Sequence, residues 1–371
     1  MLERRGWDMN LSVGIVGLPN VGKSTLFNAF LKRQQALTAN YPFATIDPNI
    51  GVVDVIDKRL DKLADLYEKE KGKTPPIVYS NVEFVDIAGL VQRAHQGEGL
   101  GNKFLANIRN VDLIIQVVRD FPDEAIIREH SKDPKTDIEI INTELIFKDV
   151  ETMTRKISEI KGDTSKKEEF VLYNTYLAHL GQNNFVYELR KKIDSTDYDK
   201  YIAPLNLLTD KKMIYVFNVN ESDARMRFSP VFDYKRFHAV YVSAKLESEL
   251  SILSEEDKAS YLNDLKLPYP ILDRLIRLCF DELNLISFLT VGDIEVKSWT
   301  IKNGDSALTA AGTIHSDFMD NFIKAEVISY KDYAEYGSKL KCKELGKMRF
   351  EGKDYIVQDG DIIEFKIGSG R

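Results

Sequence analysis

The residues best suited to chemistry lie near the N-terminus. Gly17-Leu18-Pro19-Asn20-Val21-Gly22-Lys23-Ser24 fits the pattern G-x-x-x-x-G-K-[ST], after an apolar run at Leu11 to Val16 and before a helical one at Thr25 to Leu31. Backbone N–H groups of such a loop, with those of the following helix start, can wrap phosphates. In that setting Lys23 would sit against the β- and γ-phosphates of a nucleotide, and Ser24 would coordinate Mg2+. The alternative is a glycine turn with an incidental Lys-Ser pair, which the strand-before, helix-after context disfavours.

Three further positions fit the same chemistry. Asp86 ends a strand-like run, Asn81 to Val85, and reads as the acidic group behind the Mg2+; Gly89 follows it and could offer its N–H to the γ-phosphate. Thr45, in Asn40-Tyr41-Pro42-Phe43-Ala44-Thr45, lies where a nucleotide switch supplies a second Mg2+ ligand. Leu90 occupies the place where Ras-type GTPases carry the glutamine that orients water. Leucine has no donor or acceptor, so slow intrinsic hydrolysis is expected, helped by another group, a cation or a partner.

A fourth run ends in Asn218-Val219-Asn220-Glu221, where a guanine reader carries N-K-x-D. The clamp is altered at the lysine and at the aspartate, and mispaired donors cost a base its discrimination. ATP is therefore expected over GTP. In isolation Asn220-Glu221 also reads as a polar turn at a strand end.

These residues need a scaffold. Short apolar strands at Leu11 to Val16, Asn81 to Val85, Leu113 to Val118, Met213 to Phe217 and Ala239 to Val242, separated by helical stretches, predict an α/β fold with a parallel, wound sheet. Between the third and fourth strands, Asp137 to Lys161 and Lys166 to His179 predict an inserted helical hairpin broken at Gly162-Asp163-Thr164-Ser165. By pattern alone, a projecting coiled coil and two solvated surface helices stand level. After Leu285, strands at Val291 to Thr300, Phe322 to Ile328 and Ile362 to Ile367, with turns at Gly304-Asp305, Gly352-Lys353 and Gly360-Asp361, predict a small β-rich domain.

Composition narrows the function classes. The chain has 371 residues, enough for two or three domains, with 43% hydrophobic and 29% charged residues, an ordinary globular balance. No apolar run is long enough to span a bilayer. Met1 to Asn10 lacks the apolar core of a secretory signal, and a cytoplasmic location is expected. Cys279 and Cys342 form no metal-ligand spacing and suit a reducing compartment. The net charge of -7 argues against nucleic-acid binding by bulk charge. Between Gly337 and Lys353, however, Lys339, Lys341, Lys343, Lys347, Arg349 and Lys353 face only Glu344 and Glu351, a local excess suited to phosphates. A solvated turn region is the alternative reading.

Together these motifs resemble the YchF family, a branch of the Obg-related P-loop NTPases, over nearly the whole chain from Met9 onward. Gly14 to Thr25 is similar to the family's nucleotide loop, Asn40 to Val53 to its first switch, and Asp86 to Val91 with Gly97 to Arg109 to its second. Asn218 to Glu221 resembles its N-V-[DN]-E variant, associated with ATP preference, and Ser243-Ala244-Lys245 its base-contacting loop. Trp299 to Ile301, Ala310 to Phe318 and Glu351 to Asp361 resemble its TGS domain. The resemblance implies a P-loop NTPase domain over residues 9–131 and 204–285, a helical, coiled-coil-like insertion over 132–203, and a TGS domain over 286–369.

It also implies roles. Asn20, Val21, Gly22, Lys23, Ser24 and Thr25 would bind phosphates, with Gly89 beside them. Asn218, Val219, Glu221, Ser243, Ala244 and Lys245 would form the base side, Val219 meeting adenine through its backbone. Ser24 and Thr45 would hold Mg2+, with Asp86 behind. Asn20 resembles an asparagine that related NTPases use to hold K+; shaping the loop is the equal alternative. Relatives carry a histidine where this chain has Gln116, so the group that activates water stays open among Asn20, Gln116 and His95. Arg93, where glycine is common, reads as a surface charge, and Met1 to Asp8 have no counterpart, which suggests an upstream start assignment.

The expected protein is a monomeric, Mg2+-dependent ATPase that binds the ribosome or RNA as a nucleotide-controlled switch. An Obg-type GTPase in ribosome assembly and a largely non-catalytic, nucleotide-gated adaptor are the alternatives.

Overall fold

The computed structural model describes residues 11–37, 49–87, 99–122, 131–190, 192–226, 231–234 and 236–368. They form two compact units, one from residues 12–51 and 83–275, the other from 52–82 and the stretch beginning at Ile276.

A seven-stranded sheet organises the first unit: β1 (Ser12–Gly17), β2 (Ile50–Val55), β4 (Ser80–Asp86), β5 (Leu113–Arg119), β6 (Lys212–Asn218), β7 (Phe232–Tyr234) and β8 (Phe237–Val242); the division between the units falls within β2 and β4. Its order is β2-β4-β1-β5-β6-β8-β7, with β4, β1, β5, β6 and β8 parallel and β7 antiparallel to β8. β1 and β5 are buried along their whole length, as expected of parallel strands covered on both faces. Helix α1 (Lys23–Leu37) lies on one face, where Phe30 stacks on Phe84 with ring centroids 4.1 Å apart. Phe84 is in register with Val13 and Gln116 with Val16, so Gln116 faces the other side of the sheet.

That other side is covered by α4 (Pro134–Ile160), which follows α2 (Lys58–Lys71) and α3 (Gly99–Asn110) in the chain. Asp133 caps α4 and Pro134 takes its first position, where a missing N–H costs nothing. Ile138, Ile141 and Leu145 are fully buried, and Asn142 donates to the Tyr215 hydroxyl on β6 at 3.2 Å. The hairpin is completed by α5 (Lys167–Gly181), which brings Tyr173, Tyr176 and Leu180 into the core; short helices α6 (Val186–Arg190) and α7 (Ser195–Asp197) lead back toward β6. Thus α4 is both half of the hairpin and the cover of β5 and β6.

Asp149, fully buried on α4, fixes the approach to β6. Its carboxylate accepts from Leu208 N at 2.9 Å, Thr209 N at 2.7 Å and Thr209 Oγ1 at 2.7 Å. Lys211 then donates to the carbonyls of Arg109 and Val111 at 3.0 and 2.8 Å, tying the same segment to the end of α3. Further α-helices among the described residues of this unit are α8 (Glu221–Met226), α9 (Ala244–Leu250), α10 (Glu255–Asp264) and the start of α11 (Ile271–Glu282).

In the second unit a six-stranded sheet runs in the order β12-β11-β13-β9-β10-β3, from β3 (Ile77–Val78), β9 (Leu285–Val291), β10 (Val296–Lys302), β11 (Phe322–Ser329), β12 (Arg349–Glu351) and β13 (Asp361–Ile367). One core holds Phe288, Ile301, Val327 and Phe365 with Ala307, Ala310 and Ala311 of α12 (Ala307–Ile314), which precedes α13 (Ser316–Asp320). A second holds Leu60, Leu63 and Ala64 of α2 with Leu289, Val296, Ile362, Tyr333 of α14 (Tyr330–Tyr336) and Cys342 of α15 (Lys339–Glu344).

Two features differ from the sequence expectations. Helix α2, which the sequence reading left in the first domain, packs its apolar stripe into the second core of the C-terminal unit. The single strand expected over Val291 to Thr300 is a hairpin, turned at Gly292, whose N–H reaches Glu295 O at 3.1 Å. The hairpin insertion and the wound sheet are present as expected.

Replacing Asp149 with alanine would strand three buried donors. The expected loss is about 3 kcal/mol of unfolding free energy, measured by urea denaturation, and an unchanged midpoint would contradict the role given to Asp149.

Candidate nucleotide-binding site

The loop from Leu18 to Gly22 connects the end of β1 to α1. Asn20 and Gly22 both have positive φ, 63° and 91°. At Gly22 a Cβ would lie 2.2 Å from Asn218 Nδ2, in a backbone conformation that disfavours side chains. Val21 is buried, Lys23 is partly exposed, and Asn20, Ser24 and Thr25 are exposed at the loop and helix start. The exposed side chain of Asn20 is compatible with a cation ligand, while its left-handed backbone shapes the loop; both readings of this residue stand.

Asp86 arrives beside this loop because β4 pairs in register with β1, Asp86 opposite Ile15. Its N–H donates to Asn49 O at 2.8 Å and its carboxylate forms an ion pair with Lys23. The exposed Ser24 hydroxyl and the Asp86 carboxylate are hard oxygen donors of the kind Mg2+ takes when phosphates and water complete its shell. Among the described residues there is no cluster of three or more His, Cys, Asp or Glu side chains that could hold a metal without such help. Thr45, Gly89, Leu90, Arg93 and His95 lie outside the described residues.

The base side is built around Asn218, the last residue of β6 and almost fully buried. Its Nδ2 donates to Val21 O in the phosphate loop at 2.9 Å, and its Oδ1 accepts from Ala244 N at 3.0 Å. Asn218 therefore joins the phosphate loop to the 243–245 loop, a bracing role that the sequence did not reveal. Val219 is buried and gives its N–H to Val242 O at 2.9 Å. The carbonyl of Asn218, in the same peptide group, accepts from Asp120 N at 2.8 Å, so the Val219 carbonyl, in the next peptide group, is the backbone acceptor that could meet a base. Asn220 accepts from Ser222 Oγ and Asp223 N, both at 2.8 Å, as the cap of α8, and Glu221 is the exposed first residue of that helix. Ser243 is buried and caps α9 by accepting from Leu246 N, while Lys245 is exposed.

Gln116 stands apart from these groups. It is fully buried on the face opposite α1, donates to Asp137 O on α4 at 3.4 Å, and leaves its Oε1 without a hydrogen-bond partner. Its amide supports the α4 packing.

Sequence reasoning also passed over Glu247. It lies one turn beyond the 243–245 loop, is buried, and accepts from Ile271 N at 2.9 Å and from the N–H of Leu272. Burial pushes its carboxyl up to about 7, against smaller opposing effects of those N–H groups and of Arg33 and Lys258. The only signal in the sequence is an acidic residue beside Leu246 and Leu250 on an otherwise apolar helix face.

The basic segment of the C-terminal unit is less charged than its sequence count. Lys339 pairs with Glu326 at 2.8 Å and with Glu364, Lys347 with Asp332 at 3.4 Å, and Arg349 with Asp361 at 3.3 Å. These carboxylates come from outside the counted stretch, mostly from neighbouring strands. Lys341, Lys343 and Lys353 are exposed and make no ion pair among the described residues.

A glycine-rich phosphate loop between a buried parallel strand and a helix, with a lysine paired to an aspartate on the neighbouring strand, defines a P-loop nucleotide-binding protein. Comparison with known proteins sharpens the class. Residues 12–149 match the family model described as "50S ribosome-binding GTPase", and 285–368 match that of the YchF GTPase C-terminal domain, described as a protein of unknown function. Proteins named "Ribosome-binding ATPase YchF" are 46% identical in Mycoplasma genitalium, 42% in Bacillus subtilis and 43% in Escherichia coli O157:H7. Each alignment covers 96% of this chain and 99% of the relative. The solved structure of the Schizosaccharomyces pombe YchF GTPase aligns with a TM-score of 0.85 at 36% identity, over 96% of this chain and 98% of that one. The chain belongs to the YchF family. Among the described residues, no helix is long and apolar enough to cross a membrane.

Two outcomes are expected. Gly22→Ala would force the Asn218 amide aside and adopt an unfavourable φ, lowering affinity for an ATP analogue by at least about tenfold in equilibrium binding; unchanged affinity would contradict the close approach. For Glu247, an acid pushed up by burial contributes its stability below its unfolded value of 4.5 and loses it as pH rises through about 7. The Glu247→Gln variant should flatten that decline, by up to about 3 kcal/mol between pH 5 and 8 in urea midpoints, and parallel profiles would refute it.

Proposed function

We propose that this protein is a Mg2+-dependent ATPase that acts as a nucleotide-controlled switch on the ribosome, hydrolysing ATP in preference to GTP. The observation that carries the base preference is Val219, whose N–H is already given to Val242. A backbone carbonyl there can accept from the exocyclic amine of adenine, whereas guanine presents an oxygen at the equivalent position and would face it acceptor to acceptor. The guanine-reading lysine and aspartate are replaced by Val219 and Glu221, which removes the compensating contacts. The names of the bacterial relatives, ribosome-binding ATPases, support carrying both the nucleotide and the ribosome to this chain.

In the mechanism this implies, the loop N–H groups and Lys23 hold the triphosphate. Lys23 would exchange Asp86 for the β- and γ-phosphates; Ser24 and Thr45 would hold Mg2+, with the freed Asp86 behind them. Bound Mg2+ would neutralise developing phosphate charge, and K+ at Asn20 would add to that neutralisation. No residue is assigned to activating water. Leu90 cannot do so, and slow turnover follows until a partner contributes.

The GTPase alternative keeps its place because the matched domain model and the fission-yeast protein carry that name. Equilibrium binding of ATP and GTP analogues with Mg2+ decides between them. ATP should bind about tenfold or more tightly, and single-turnover ATP hydrolysis should disappear in Lys23→Ala. Tighter GTP binding would return the protein to the GTPase class, and hydrolysis surviving in Lys23→Ala would overturn the assigned site.

A further inference from the structure

The buried carboxylate of Glu247 takes no part in the phosphate or base contacts, and burying an acid is costly unless its oxygens are used. They are used at the N-terminus of α11. Ile271 N donates to Glu247 Oε1 at 2.9 Å and Leu272 N–H also reaches the carboxylate. The segment preceding α11, Leu267-Pro268-Tyr269-Pro270, offers no Ser, Thr, Asp or Asn to cap the helix. Glu247 caps it from another helix.

The same end of α11 is held to α1, since Asp273 forms an ion pair with Arg33. Helix α1 begins at Lys23 and α9 begins at Ala244, the residue bonded to Asn218. The helix of the phosphate loop and the helix of the base loop are thus both anchored on the first turn of α11. The charged groups facing this point are Arg33 from α1, Lys258 from α10 and Asp273 from α11 itself.

We propose that Glu247 is a positioning residue for base recognition: by capping α11 it holds α9, and with it the 243–245 loop, where a nucleotide's base must be read. The proposal rests on nucleotide binding at the site described above. It assigns discrimination between bases to a side chain that touches no nucleotide.

The test uses the full chain, wild type, Glu247→Gln and Glu247→Ala, with ATP and GTP competing against one fluorescent ATP analogue in the presence of Mg2+. Both ligands carry the same triphosphate, so the ratio of their dissociation constants isolates the base side. In Glu247→Ala the ratio should fall toward one, with ATP affinity about tenfold weaker; Glu247→Gln, which keeps one acceptor, should give an intermediate ratio. A residue that merely supports the fold would lower the melting temperature and leave the ratio unchanged. An unchanged ratio in whichever variant folds overturns the proposal. A wild-type ratio near one removes the base clamp and this inference together. A wild-type preference for GTP refutes the ATP reading, while the same loss of discrimination in the variants still supports Glu247.

Discussion

One side-chain amide holds the site together. Asn218 spans from the phosphate loop to the 243–245 loop, 197 residues back to Val21 and 26 forward to Ala244, with a hydrogen bond to each. A buried amide satisfied at both ends fixes their separation. This explains why Gly22 carries no side chain, since Asn218 occupies the space a Cβ would need. It also explains why the end of β6 must be placed accurately.

Much of the first unit serves that placement. β6 is flanked by β5 and β8, and its approach is fixed by Asp149 and Lys211. Because Asp149 belongs to α4, the helical hairpin is built into the sheet that carries the site. Lys211 extends the same connection to the end of α3, the helix formed by the Gly97 to Arg109 sequence.

The sequence disclosed the parts whose physics is local. The phosphate loop was legible because glycines, lysine and serine must stand in one short order, and the parallel strands because burial on both faces leaves continuous apolar runs such as Leu113 to Val118. What depends on distant residues was not legible. Asn218 read as a base contact because its partners, Val21 and Ala244, come together only in the fold. Helix α2 read as part of the first domain because nothing in it says which core its apolar stripe will fill. The basic segment near the C-terminus read as a phosphate tracker because Glu326, Asp332, Asp361 and Glu364 are remote in sequence and adjacent across the sheet or its helices. The Gly292 turn was a local signal, missed inside a longer run of strand-forming residues.

The central claim is that Asn218 braces two loops and leaves base recognition to the backbone beside it. A crystal structure with an ATP analogue and Mg2+ tests this directly. The account predicts that Asn218 still bonds Val21 O and Ala244 N, with the adenine amine on the Val219 carbonyl and Lys23 moved from Asp86 to the phosphates. An Asn218 amide turned onto the base, with its bonds to Val21 and Ala244 broken, would contradict it.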